Sequence, residues 1–202
     1  MVCDGCLRTF ALRCGILFNM NKNADNKRKI HKMTAVSLST AVLCILGPLV
    51  IVLPISPIPF SLCLLGIYII VYVLGYKCST IACCLYLLIG LIGLPVFSSF
   101  SGGIAKFFGP TGGYLIGYIP LTFVSGLFID KFPKKVILHV LGMTLGLILC
   151  YLLGTGWLSF NTGINFKDAL LVGVIPFVPG DIIKLTLAII VGRPIRKAIN
   201  QI

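Results

Sequence analysis

Apolar runs of near-bilayer length dominate this chain. Six can be read: Met33–Leu53, Phe60–Leu74, Ser79–Leu94, Gly113–Ile129, Val136–Gly154 and one within Ala169–Val191. The first five contain no charged residue. A helix needs about 20 mostly apolar residues to cross the hydrocarbon core of a membrane. The second and third runs are short by that measure. Period-2 alternation is not evident, so a transmembrane β-barrel is disfavoured. Composition agrees: 58% of the residues are hydrophobic and 11% charged, with a mean hydropathy of +1.07. Soluble domains carry about 45–50% apolar and about 25% charged residues, and disorder requires low hydrophobicity. The expected fold is an all-α integral membrane protein of six transmembrane helices over residues 33–202. No separate soluble domain fits in the remaining chain.

The formal net charge of +12 could suggest nucleic-acid binding, so the position of the charges matters. With the N-terminus in the cytoplasm, the inner segments hold Lys22, Lys27, Arg28, Lys29 and Lys32, then Lys77, then Lys131, Lys134 and Lys135, then Arg193, Arg196 and Lys197. The outer segments hold only Lys106 and Lys167. The positive-inside rule therefore places both termini in the cytoplasm. An odd number of spans would scramble this pattern. The basic charge is thus mainly topological, and nucleic acid is not an expected partner.

Residues 1–32 read as a basic, disordered cytoplasmic tail. They lack the apolar core and cleavage site of a signal peptide. Cys3 and Cys6 form a C-x-x-C pair, but a zinc site needs about four ligands, and only Cys14 and the distant His31 could join them. No metal site is expected. The six other cysteines mostly lie in apolar spans, where cysteine acts as a small hydrophobe.

An ionisable residue inside a membrane is a functional candidate by default. One pair qualifies, Asp181 and Lys184. Their i, i+3 spacing places both on one helix face. A mutually satisfied ion pair is the simpler reading, but the preceding residues favour a ligand site. Gly173, Pro176, Pro179 and Gly180 break the helix just before Asp181. The helix is expected to restart near Pro179, since proline suits a first turn. Broken helices at membrane depth survive only against protein or a cavity. A glycine- and proline-rich connector, Gly93–Gly103 continuing into Gly109–Tyr114, reads as a lid with Phe97, Phe100 and Tyr114 as aromatic wall. The spacing of a Walker phosphate loop is absent there. Small residues recur on the first helix at Ala35, Ser37, Ser39 and Ala41; Ala35 and Ser39 are four apart, as are Ser37 and Ala41, a spacing that lets helices approach closely.

These segments together resemble the BioY family, the biotin-specific S components of energy-coupling factor transporters. The strings that carry the resemblance are Pro57-Ile58-Pro59-Phe60, Gly93-Leu94-Pro95-Val96-Phe97, Ser101-Gly102-Gly103, Gly109-Pro110-Thr111-Gly112-Gly113-Tyr114-Leu115, and Pro176-Phe177-Val178-Pro179-Gly180-Asp181-Ile182-Ile183-Lys184. The resemblance runs from about Met33 to the C-terminus. It implies the six-helix S-component fold, no catalysis and no cofactor, with biotin as transported ligand captured from outside the cell membrane. It implies a site drawn from Asp181, Lys184, Phe97, Phe100, Gly113 and Tyr114. It implies a partner, the transmembrane subunit EcfT with two cytosolic ATPases, docked near Ala35 and Ser39. Many relatives carry Gln where this chain has Cys63, a departure in the expected pocket.

Biotin chemistry suits these residues. A carboxylate at Asp181 accepts from the ureido N–H groups, and Lys184 donates to the ureido carbonyl or pairs with the valerate carboxylate. The alternative is a self-sufficient secondary transporter coupled to protons through Asp181. An enzyme is not expected, because His139 stands alone and no nucleophile–base set appears.

Overall fold

Gly47-Pro48 decides where the first membrane helix stops. In the computed structural model, which describes residues 29–51 and 60–199, α1 runs Lys29–Leu46. The expected end at Leu53 is therefore too late. Proline lacks the N–H a helix needs and forces the preceding residue out of the helical region. Beyond Pro48 a two-residue strand, Val50–Ile51 (β1), pairs antiparallel with Phe60–Ser61 (β2). Phe60 is thus a strand residue rather than a helix start. Helix α2 begins at Cys63, whose N–H donates to Ser61 Oγ at 3.0 Å. The expectations for residues 1–28 and for Pro54–Pro59 lie outside the described residues. By compactness the chain divides into a unit through Ala35 and a unit from Val36. The first contributes the opening turns of α1, where Thr34 Oγ1 donates to Ile30 O. The second holds the remainder of α1 and the other elements.

Helix α2 spans Cys63–Leu91 and contains both the second and third expected spans. A single residue breaks it: Gly75, at φ 72° and ψ 179°. Glycine takes positive φ without steric cost. A Cβ here would also sit 2.6 Å from Asp130 Oδ2. The break leaves N–H groups without helical partners, and Tyr76 N–H donates to Asp130 Oδ2 at 2.8 Å. Asp130 Oδ1 accepts from Arg196 Nη2 at 2.6 Å. One carboxylate so fastens three helices.

After α2, a 3-10 turn at Ser98–Phe100 and a short helix α3 (Ile104–Phe107) lead into α4, Gly112–Lys131. Helix α5 runs Val136–Thr162, eight residues past the expected Gly154, and ends on Gly163 in the left-handed region. Helices α6 (Phe166–Gly173) and α7 (Val178–Ile199) meet at a 51° bend. Pro179 lies in the first turn of α7, as expected.

Among the described residues four helices, α1, α2, α4 and α5, are long and apolar enough to cross a membrane, and the bent α6–α7 pair passes the same test when taken as one span. With α2 divided at Gly75, each of the six sequence runs has a helical counterpart. Helix α4 packs along α5, α2 along α4 and α7, and α6 on α5. Ile67, Tyr68, Val71, Leu121, Ile129 and Met143 fill the core between them. Outside, α5 exposes Leu141, Leu145, Ile148, Leu149 and Leu152. A helix apolar on its inner and outer faces alike belongs in lipid.

Candidate functional site

The site is built on the start of α7. The turn between α6 and α7 brings Asp181 and Lys184 onto the inner face, with side chains about 6% exposed. Lys184 Nζ lies 2.8 Å from Asp181 Oδ1. The other carboxylate oxygen accepts a hydrogen bond from the Tyr151 hydroxyl of α5. Both oxygens are therefore held by donors from two helices. This satisfies the condition for burying charge in a low-dielectric medium, that it be paired and hydrogen-bonded.

A cavity of about 70 Å³ opens before the pair. Its walls include Tyr114 and Tyr118 of α4, Cys150 and Tyr151 of α5, and Phe177 of the turn before α7. Tyr114 Oη donates to Gly173 O at 3.1 Å, meeting the chain where α6 ends. A second cavity of about 40 Å³ shares Ser61, Tyr114 and Tyr118 with the first. The two tyrosines, four residues apart, present one face of α4 to both.

Three expected residues, Asp181, Lys184 and Tyr114, come together here. Gly113 does not line the cavity. It is buried against α5, where a Cβ would collide with Trp157 Cβ and approach Leu153 O at 2.7 Å. Its role in the structure is close helix packing. Phe97 and Phe100 also lie away from the cavity wall. Phe97 is fully buried, edge-to-face with Tyr86 at 5.7 Å between ring centres and seated over Gly90. Phe100 is 71% exposed. The cause is local: Phe97 pairs with Ser101 across a tight turn in which Ser99 and Phe100 take positive φ, so the two aromatic rings leave on different sides. On α1, Ser39 is buried and Ala35 half-buried, while Ser37 and Ala41 are exposed.

Tyr118, Tyr151, Cys150 and Phe177 join the site without having been expected there. Tyr118 follows Tyr114 at helical spacing and was legible in principle. Tyr151 carries no local signal, since its partner lies 30 residues away.

A polytopic helical bundle whose buried ion pair faces a cavity has the build of a membrane protein that binds a small solute. The model of the BioY family matches residues 20–201, and the chain belongs to that family. It is 39% identical over 145 residues to "Biotin transporter BioY" of Thermotoga maritima, covering 72% of this chain and 85% of that one. It is 34% identical over 173 residues to "Biotin transporter BioY2" of Lactococcus lactis, covering 86% and 94%. Among solved structures it matches "the S-component for biotin from an ECF-type ABC transporter" with a TM-score of 0.79 at 34% identity, over 85% of this chain and 94% of that one. The chain is thus a multi-pass membrane protein with the S-component fold. Its family is one of transporters, not enzymes.

Proposed function

We propose that this chain is the substrate-binding subunit of a vitamin uptake transporter and that it binds biotin before the Asp181–Lys184 pair. The observation that carries the reading is the doubly held carboxylate at the cavity wall. Ureido N–H groups can bond the remaining lone pairs of the Asp181 oxygens beside the Tyr151 hydroxyl, and Lys184 can turn to the ureido or valerate oxygen, so each charge keeps a partner when ligand enters. The names of the relatives support biotin as the ligand. At about 70 Å³ the cavity is well under the ~300–1,000 Å³ of typical ligand pockets. Ligand entry therefore requires it to widen. Tyr114 and Tyr118, which stand between the two small cavities, are the side chains whose rotation joins them.

In this reading biotin enters from outside and both termini are cytoplasmic, as the distribution of lysine and arginine favours. Energy comes from a partner, EcfT with two ATPases. The likeness to a solved S-component of an ECF-type transporter supports that partnership. So does a groove of about 530 Å³ between α1 and the later half of α2, lined by Ser37, Thr40, Ala41, Cys44, Leu85 and Ile89. Its small residues admit a partner helix at close range. Of the small residues on α1 it is Ser37 and Ala41, not the buried Ser39, that line this groove.

Equilibrium binding of labelled biotin to detergent-purified protein tests the site. Wild type should bind, and Asp181→Asn or Lys184→Ala should weaken binding at least about tenfold, the loss of one charge-assisted hydrogen bond. Unchanged affinity in both variants would remove the site. Tight binding of a different vitamin by wild type, with none of biotin, would remove the ligand.

A further inference from the structure

At the opposite end of α7 lies a larger cavity, about 420 Å³, that the biotin reading does not use. It sits where the α4–α5 turn meets the last turns of α7. Four cationic side chains line it: Lys134 from the turn, and Arg193, Arg196 and Lys197 from α7. Its remaining polar lining is Tyr72 and His139. These two are committed to each other. His139 Nε2 is 2.9 Å from Phe132 O, a carbonyl that can only accept, so Nε2 carries a proton, and Nδ1 lies 3.3 Å from the Tyr72 hydroxyl. The imidazole is thereby fixed as part of the wall.

Of the three acids among the described residues, Asp168 and Asp181 belong to α6 and to the start of α7. Asp130 alone stands at this end, and both its oxygens are occupied, one by Arg196 Nη2 and one by Tyr76 N–H. It leaves a strong positive excess across the cavity. A second observation is independent of charge. Arg196 is only partly exposed, and its Nε and Nη1 are buried with no hydrogen-bond partner among the described residues. Buried donors are normally satisfied. Two orphaned guanidinium donors in a cationic concavity call for an anion rich in acceptor oxygens. Arginine is the side chain best suited to phosphate.

The surroundings add a further constraint. The cavity is set among helix ends, while Ile137 and Leu141 climb α5 from the same end, and Ile190 stands one turn before Arg193 on α7. These are 77%, 48% and 63% exposed. Exposed apolar residues on the two helices whose ends form a cationic recess suit a molecule with a phosphate head and acyl chains. We propose that this cavity is a phosphoryl-anion site, occupied by the headgroup phosphate of an anionic phospholipid or by soluble phosphate, with Arg196, Arg193, Lys134 and Lys197 as its ligands. Bound there, a phosphate would join the α4–α5 turn to α7 beside the Asp130 junction.

The test uses the full chain in detergent. Native mass spectrometry would follow titration with phosphatidylglycerol and, separately, phosphatidylcholine, and calorimetry would follow inorganic phosphate. Phosphatidylglycerol should be retained about tenfold more tightly than phosphatidylcholine. Arg193→Gln with Lys134→Gln should remove most of that preference while leaving biotin affinity unchanged. Arg196→Gln should also remove most of that preference. The double variant keeps the test valid if Arg196→Gln fails to fold after losing Asp130. Lipid preference that survives millimolar phosphate assigns the site to lipid. Calorimetric binding of phosphate, lost in the double variant and without lipid preference, assigns it to the soluble ion. Equal retention of both lipids with no phosphate binding overturns the proposal, as does a preference for phosphatidylglycerol that the double variant keeps in full.

Discussion

Asp181 has three tasks for two oxygens. It neutralises Lys184, it holds Tyr151, and in the proposed complex it meets a ligand. Removing the Tyr151 hydroxyl therefore separates positioning from charge. Tyr151→Phe should weaken biotin binding about three- to tenfold, consistent with one hydrogen bond to a charged group, and less than Asp181→Asn does. Equilibrium binding measures both. An effect of Tyr151→Phe as large as that of Asp181→Asn would show that the hydroxyl, not the carboxylate charge, dominates. At this scale the sequence is informative where chemistry is scarce. Asp181 and Lys184 stand out because the other runs carry no charge at all. Phe97 reads as pocket wall because aromatic residues in a glycine-rich connector look alike in sequence. Only the Phe97–Ser101 pairing separates the ring that turns inward from the one that turns out.

Among the elements, the junction at Asp130 is the most exposed to single changes. Gly75→Ala places a Cβ at φ 72° and against the carboxylate. It should destabilise the protein by about 1–3 kcal/mol, the usual cost of a non-glycine residue in strained backbone. Asp130→Ala should be at least as damaging, since Arg196 and Tyr76 N–H lose their partner together. The fraction remaining monodisperse after graded heating in detergent reads both. Gly113→Leu tests the packing role of that residue: it should separate α4 from α5 and lower the same stability, with biotin affinity falling only in proportion to unfolded protein. Loss of binding in fully stable Gly113→Leu protein would return Gly113 to the ligand site. Helix breaks are only partly legible. The Pro176–Pro179 region announces itself through proline; at Gly47-Pro48 the apolar run continues to Leu53 and masks the same signal. Gly75 falls in the gap expected between the runs ending at Leu74 and starting at Ser79, but its tie to Asp130, distant in sequence, carries no local signal. In lipid, moreover, helix faces lack the polar periodicity that marks boundaries in soluble proteins.

For the molecule as a whole, orientation is the property that charge predicts most directly. In a background with the native cysteines replaced, Lys106→Cys should react with an impermeant maleimide from outside intact cells, and Lys135→Cys only after permeabilisation. The reverse pattern would invert the proposed direction of capture. Coupling is tested at the same scale. Uptake into liposomes by this chain alone would favour a self-sufficient carrier, whereas co-purification with EcfT and dependence on the ATPases would favour the S-component reading. The number of apolar runs and the class of fold are legible because a bilayer fixes both the length and the polarity of what crosses it.

The geometry of α7 has a mechanical consequence. Its Arg196 is pinned to α4 through Asp130, while Asp181, fifteen residues earlier, faces the cavity. At 1.5 Å per residue these points are about 22 Å apart along the axis. A rod anchored at one end cannot slide, so it swings. Shifting Asp181 by about 1 Å to admit a solute needs a tilt of only about 3°. Pro194 removes a ladder bond just ahead of the anchored residue and softens the rod where it would pivot. In the proposed complex the arm that meets the ligand and the fulcrum that resists it belong to one helix, so occupancy near one membrane face would be transmitted as torque to the other.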